Sequence, residues 1–224
     1  MLSIVATPIG NLGDISERSM KALRDCDAIV CEDTRMTGKL LLLLNLPKKE
    51  LISLHGYSDS RKVDVILERL HRSENICLVS DAGTPCISDP GFLLVSAARK
   101  TNVKMEVLPG PSAFLVALSA SGLPINQFTY LGFLPIKKGR QTLLTSLHDE
   151  ERTVVFYESP HRILRTLGDL VSAFADQPHR RIVIARELTK IHEEVISTTI
   201  GELLERSKTL TIKGEFVVVI GSKD

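Results

Sequence analysis

Hydrophobic and polar positions in the first half of the chain alternate between two patterns. Short apolar runs at 2–6, 28–32, 76–80 and 105–108 predict strands. Between them, apolar residues recur at helical spacing: Val63, Ile66, Leu67 and Leu70 stand at i, i+3, i+4 and i+7, one face of a helix. Further helices are predicted at 34–44, at 92–100 and from Ser112 onward, with the five leucines 40–44 in a buried helix. Another opens at Asp14-Ile15-Ser16-Glu17, where the D-x-x-E spacing suits a capping box. Near-continuous apolar strands separated by helices imply a parallel α/β sheet covered on both faces.

The second half is patterned differently. Strands are predicted at 153–157 and 181–185 around a helix at 163–174. Runs at 195–200 and 215–220 read as neighbouring strands with one short helix between them. This predicts two α/β domains, 1–122 with a mainly parallel sheet and 123–224 with a mixed one, meeting near Gly122-Leu123-Pro124.

Ligand-binding residues of open α/β sheets lie beyond the carboxyl ends of the strands, and four loops occupy such places. They are Thr7-Pro8-Ile9-Gly10-Asn11-Leu12-Gly13, Glu32-Asp33-Thr34-Arg35, the long small-residue loop from Ser80-Asp81-Ala82-Gly83-Thr84 to Ser88-Asp89-Pro90-Gly91, and Pro109-Gly110-Pro111-Ser112-Ala113. The first has only Gly10 and Gly13 of a dinucleotide fingerprint, and the third lacks the Gly-Lys-Ser/Thr ending of a phosphate loop. Each loop alone is ordinary turn chemistry, and Asp33 with Arg35 suits a surface pair or a helix N-terminal charge. Four in succession suit one neutral or anionic small ligand held by main-chain groups.

Composition narrows this picture. With 224 residues and 43% hydrophobic content there is material for one large domain or two modest ones. The net charge of +1 and pI of about 7.7 give no general pull toward nucleic acid, so any RNA contact rests on local patches. No apolar run approaches the roughly 20 residues of a membrane span, and residues 1–6 lack a signal-peptide pattern, which favours the cytoplasm. Cys26, Cys31, Cys77 and Cys86 show no zinc-site spacing, and His55, His161 and His192 no metal-ligand spacing; no metal site is expected.

The succession V-A-T-P-I-G-N-L-G-D-I-S, D-A-I-V-C-E-D-T-R, L-V-S-D-A-G-T-P-C-I-S-D-P-G and L-P-G-P-S-A resembles the tetrapyrrole methylase family, specifically its ribosomal RNA branch. G-F-L-P-I-K-K-G-R, V-V-F-Y-E-S-P-H-R, A-R-E-L-T-K-I-H-E-E and K-G-E-F-V-V-V-I extend the resemblance from residue 3 to about 220. It implies a kidney-shaped, two-domain, homodimeric methyltransferase with S-adenosylmethionine in the cleft between domains. The implied substrate is a cytidine 2′-hydroxyl of 16S ribosomal RNA in the small subunit, with neither DNA nor membrane as partner. Cofactor contacts carry over to Pro8, Ile9, Ser80, Asp81, Gly83, Thr84, Ile87, Ser112 and Ala113, and in the second half to Tyr157, Glu158, Ala185 and Leu188. Many members continue past the K-G-E-F-V strand into a small helical segment, whereas this chain stops at Asp224. A tetrapyrrole methylase and a non-catalytic binding module are the alternatives.

A ribose hydroxyl is weakly acidic, so its methylation calls for a base. Glu32, Asp33 and Glu187 are the available carboxylates, with Glu32 the candidate base and Asp33 and Arg35 beside it; a purely loop-fixing role for Glu32 stays open. Lys137, Lys138 and Arg140, then Arg162, Arg165, Arg180 and Arg181, are candidate RNA contacts or plain solvated charge. Phe133 is either a base-stacking residue or core.

Overall fold

The structure, a computed structural model, describes residues 1–55, 60–89 and 91–223. Pro90 of the long loop lies outside the described residues. The chain divides into two compact units, Met1–Ser112 and Ala113–Asp224.

In the first unit, β1 (Leu2–Val5), β2 (Ala28–Cys31), β3 (Glu50–Ser53), β4 (Ile76–Val79) and β5 (Met105–Leu108) form an all-parallel sheet in the order β3-β2-β4-β1-β5. Strand alternation sends Leu2, Ile4, Val30, Ile76 and Leu78 to one face, where they pack on α3 (Ser60–His71) and α4 (Phe92–Lys100). Val5, Ile29, Cys31, Cys77 and Val79 face the other way, toward α1 (Glu17–Asp25) and α2 (Thr34–Leu43). Each of the Val, Leu and Ile side chains among these, fully buried, contributes roughly 1.5–3 kcal/mol.

Three local expectations are corrected here. The cap of α1 is Ser16, whose hydroxyl accepts from Ser19 N at 3.1 Å, while Asp14 is drawn into a short 3₁₀ turn at Leu12–Asp14. The leucine run is not buried throughout: Leu41 is buried, but Leu42 is 75% exposed, because consecutive residues point around all sides of a helix. Strand β3 went unpredicted; it is a four-residue edge strand without a fully buried position.

The second unit holds α5 (Ala113–Ser121), β6 (Phe128–Phe133), α6 (Arg140–Leu147), β7 (Thr153–Glu158), α7 (Ile163–Ala173), β8 (Arg181–Arg186), β9 (Glu194–Thr199), α8 (Leu203–Ser207) and β10 (Phe216–Ile220). Its mixed sheet runs β6-β7-β10-β8-β9, with β6 and β7 parallel and the other pairs antiparallel. Strands β9 and β10 are therefore not neighbours, as their sequence separation suggested; β8 lies between them and satisfies both. The break between units precedes α5 instead of falling at Gly122, since α5 packs on β7, β9 and β10.

Candidate functional site

The connections of the first sheet determine where its ligand edge opens. The helices after β1 and β2 cover one face and the helix after β4 covers the other, and β4 lies between β2 and β1. Chains leaving β4 and its two neighbours diverge to opposite faces, which opens crevices on both sides of the β4 carboxyl end. The loops that follow these strands meet there.

On the β1 side, Thr7 N donates to Gly83 O at 2.9 Å and Gly83 N returns to Thr7 O at 3.0 Å. The Thr7 hydroxyl donates to Ser80 O at 3.1 Å, and the Ser80 hydroxyl to Gly83 O at 3.0 Å. Gly83 has φ +85°, a conformation that L side chains rarely adopt; a Cβ here would stand 3.3 Å from Ile9 Cγ2 and 3.6 Å from Pro111 O. Thr84 Oγ1 donates to Pro111 O at 3.1 Å, so the loops after β1, β4 and β5 are tied together. Ile9, Gly83, Thr84 and the Pro111-Ser112 segment are thus neighbours. Pro8, Ile9, Ser80 and Ser112 are buried, Ile87 is half-buried, and Asp81 is exposed.

On the β2 side, an open depression of about 370 Å³ is lined by Glu32, Asp33, Thr34, Arg35, Ser53, His55 and Asp81. Asp33 N donates to Asp81 Oδ1 at 3.2 Å, linking this loop to the β4 loop. The Asp33 carboxylate caps α2 by accepting from Arg35 N at 2.8 Å and also receives the Arg35 guanidinium, Nη2 lying 2.6 Å from Oδ2. Hydrogen bonds from this guanidinium and from Arg35 N hold the carboxyl at about 2. Asp33 is therefore both the surface partner and the helix cap that its spacing allowed.

Asp89 was missed among the site residues. Burial pushes its carboxyl up to about 6; a hydrogen bond with Ser80 opposes this, and the charges of Glu32 and Asp81 reinforce it. Cys86 and Ser88 just before it have positive φ, 70° and 61°, and Gly91 after it has φ 123°. A signal was present in the repeated Ser-Asp pair of the loop, Ser80-Asp81 and Ser88-Asp89. With Glu32, Asp33, Asp81 and Asp89 set against Arg35, this edge favours a cationic group over the neutral or anionic ligand expected from the loops.

In the second unit, Tyr157, Val217 and Ala185 are register partners across β7, β10 and β8, and Phe133 of β6 pairs with Tyr157. The structure thus aligns Tyr157 and Ala185 in one row on one face of the sheet. Glu158, the next residue, points to the opposite face. There its fully buried carboxylate accepts from Ser159 N at 2.8 Å, Arg162 Nε at 2.6 Å and Thr166 Oγ1 at 2.6 Å. Both oxygens of this carboxylate are thus engaged within the protein. Leu188 is buried beyond β8, after Glu187, which has φ 51°. Although burial pushes the Glu187 carboxyl up, hydrogen bonds from Lys190 and Glu215 N leave it below its ordinary value, so it is a poor base.

The basic candidates separate clearly. Arg140 is buried, donating to Asp169 at 2.9 Å, Thr166 at 2.8 Å and Pro135 O at 3.2 Å. Arg162 is tied to Glu158 and to Leu134 O, and buried Arg180 binds the carbonyls of Leu147, His148, Glu150 and Gly221. Lys137 and Lys138 are exposed and enter no ion pair among the described residues. No group of three His, Cys, Asp or Glu side chains suited to a metal ion occurs among the described residues.

The model of the Tetrapyrrole (Corrin/Porphyrin) Methylases matches residues 1–204. The chain belongs to the tetrapyrrole methylase family. Among its relatives, ribosomal RNA small subunit methyltransferase I of Xylella fastidiosa is 48% identical over 222 residues, 98% of this chain and 80% of the relative. The Thermotoga maritima protein of the same name is 41% identical, over 100% of this chain and 99% of the relative. The fold is that of a uroporphyrin-III C-methyl transferase from Thermus thermophilus solved with S-adenyl homocysteine, at TM-score 0.65 and 16% identity over 98% of this chain and 96% of that one. These likenesses make this family member a methyltransferase.

Proposed function

We propose that this methyltransferase uses S-adenosylmethionine to methylate the ribose 2′-hydroxyl of a cytidine in 16S RNA of the small ribosomal subunit. The observation that carries the RNA assignment is the name shared by relatives 41–48% identical along essentially the whole chain. A tetrapyrrole substrate is supported by the family model and by solved structures 16–17% identical, not by the name of these relatives. The donor set fits the cofactor: small residues allow main-chain approach, and the acidic edge suits a sulfonium and an α-ammonium group.

When bound, S-adenosylmethionine supplies a methyl group on a positively charged sulfur. In the first unit Pro8, Ile9, Ser80, Asp81, Gly83, Thr84, Ile87 and Ser112 hold it in this proposal; in the second, Ala113, Tyr157, Glu158, Ala185 and Leu188. Asp81 meets positive charge, while Ile9 and Ile87 exclude water. Glu32 accepts the proton leaving the ribose hydroxyl. Asp33, held at about 2, is too weak a base, and with Arg35 it fixes the loop carrying Glu32. Asp89, at about 6, is a second proton acceptor better matched to neutral pH.

No helix among the described residues is long and apolar enough to cross a membrane. A cytoplasmic homodimer completes the proposal, and exposed apolar side chains such as Phe92 and Leu93 suit a partner copy. Incubation of the enzyme with labelled S-adenosylmethionine and small subunits from a strain lacking the activity tests the assignment. Label should enter 16S RNA; label entering only a porphyrinoid would transfer the enzyme to the other branch.

A further inference from the structure

Five aromatic side chains of the second unit form a continuous strip. Phe128 and Tyr130 on β6 contact Phe114 of α5 at ring-centroid distances of 6.1 and 4.5 Å; Tyr130 meets Tyr157 at 5.7 Å, and Tyr157 meets Phe133 at 5.5 Å. In a chain with 7 Phe, 3 Tyr and no Trp, half of the aromatic residues lie in this strip. Its outer end, Phe133, is 56% exposed.

A β-bulge places Phe133 there. Tyr130 pairs with Val155 and Phe133 with Tyr157, so Leu131 and Gly132 together face the single residue between, and Gly132 has φ 63°. Regular alternation from Tyr130 would turn Phe133 to the other face, where Leu131, Val154 and Phe156 pack into the core. The extra residue instead brings Phe133 beside Tyr157 with its ring partly in water, a position that burial energy alone does not favour.

The chain that follows is held firmly. Arg162 Nη2 donates to Leu134 O at 3.1 Å and Arg140 Nη1 to Pro135 O at 3.2 Å, both from guanidinium groups that are themselves ion-paired. Beyond these anchors Ile136, Lys137 and Lys138 are exposed. An exposed ring, pinned in place and followed by two exposed lysines that enter no ion pair among the described residues, combines a stacking surface with positive charge for a phosphate backbone.

We propose that Phe133 stacks on an unpaired base of the RNA substrate while Lys137 and Lys138 contact the adjoining phosphates. This rests on the RNA-methylating reading and adds to it the surface that receives the strand, next to Tyr157 of the proposed cofactor set. Phe133→Ala should raise the KM for small subunits about tenfold, the scale of one base stacked on an aromatic ring, with S-adenosylmethionine affinity unchanged. Phe133→Tyr should restore the parent value within about twofold, and Phe133→Leu, apolar but without a ring, should behave as the alanine variant does. A leucine variant as active as the parent would overturn the proposal.

The absence of tryptophan provides a readout independent of methylation. Phe133→Trp is then the only tryptophan in the chain, and a single-stranded oligoribonucleotide should quench its emission. Quenching in an enzyme that fails to methylate subunits would keep the stacking surface while the substrate assignment falls. Emission that ignores RNA, or that responds only to protein concentration because a second copy covers the ring, would overturn it.

Discussion

The main chains of Thr7 and Gly83 are joined by two reciprocal hydrogen bonds, 2.9 and 3.0 Å long, between loops leaving adjacent strands of the parallel sheet. The bridge ties the loop after β1 to the loop after β4 and, with the Thr7, Ser80 and Thr84 hydroxyl bonds, fixes where Ile9, Ser80 and Thr84 stand. Because Gly83 has φ +85° and Ile9 Cγ2 lies 3.3 Å from where a Cβ would be, Gly83→Val both strains the main chain and displaces Ile9. The variant should retain its circular dichroism spectrum and lose S-adenosylmethionine binding in calorimetry by at least about tenfold, roughly 1.4 kcal/mol. Parent-like affinity would reduce Gly83 to a turn residue.

Asp89 gives a pH signature. Its folded-state pKa of about 6 lies above its ordinary 3.8, so the folded protein holds this proton more tightly than the unfolded chain. Ionising Asp89 therefore costs stability, fully above pH 6 and not at all below about 3.8. Asp89→Asn should stabilise the protein at pH 8, by about 1–2 kcal/mol after allowing for partial contact with water, and the gain should fade as the pH drops toward 4. Thermal unfolding of both proteins across this range checks it; a gain that grows in acid would show the shift to have the opposite sign. If Asp89 takes the ribose proton, the same variant loses the activity limb near pH 6.

Arg140 and its neighbours Lys137 and Lys138 should separate cleanly. Removing the buried Arg140 guanidinium strands Asp169, Thr166 and Pro135 O, so Arg140→Gln should cost about 2–4 kcal/mol in denaturant unfolding. Replacing Lys137 and Lys138 with Gln should leave stability within about 0.5 kcal/mol. It should flatten the salt dependence of RNA binding by about one unit of slope per lost phosphate contact. A double lysine variant with the parent's salt dependence would make these residues ordinary solvated charge.

Strands β1, β2 and β4 of the first sheet were legible because they are buried along their whole length, and the loops beyond them stood out by their glycine, proline and serine content; the more exposed edge strand β3 carried no such signal. Strand β6 was not: F-T-Y-L-G-F carries a bulge that breaks period two, and the K-K-G-R that follows reads as a polar loop although Arg140 opens α6. The order of β8, β9 and β10 is a tertiary outcome that spacing does not encode. Charge was the least legible property. Arg140, Arg162 and Arg180 look like a basic surface in one dimension, and only the position of Glu158, Asp169 and the loop carbonyls turns them into clamps, Arg140 and Arg180 buried and Arg162 half-buried. Asp89 was overlooked for the same reason, since its acidity depends on burial and on neighbours far away in the chain.

Ribose methylation has a chemical consequence that base methylation lacks. Alkaline cleavage of RNA proceeds through attack by the 2′-hydroxyl on the adjacent phosphate, so a 2′-O-methyl group protects that one bond. After transfer from labelled S-adenosylmethionine to small subunits from a strain lacking the activity, the 16S RNA is hydrolysed completely in alkali. The account predicts that the label appears in a single alkali-resistant dinucleotide whose first nucleoside is cytidine. Label released entirely as mononucleotides, or absent from RNA altogether, would contradict it.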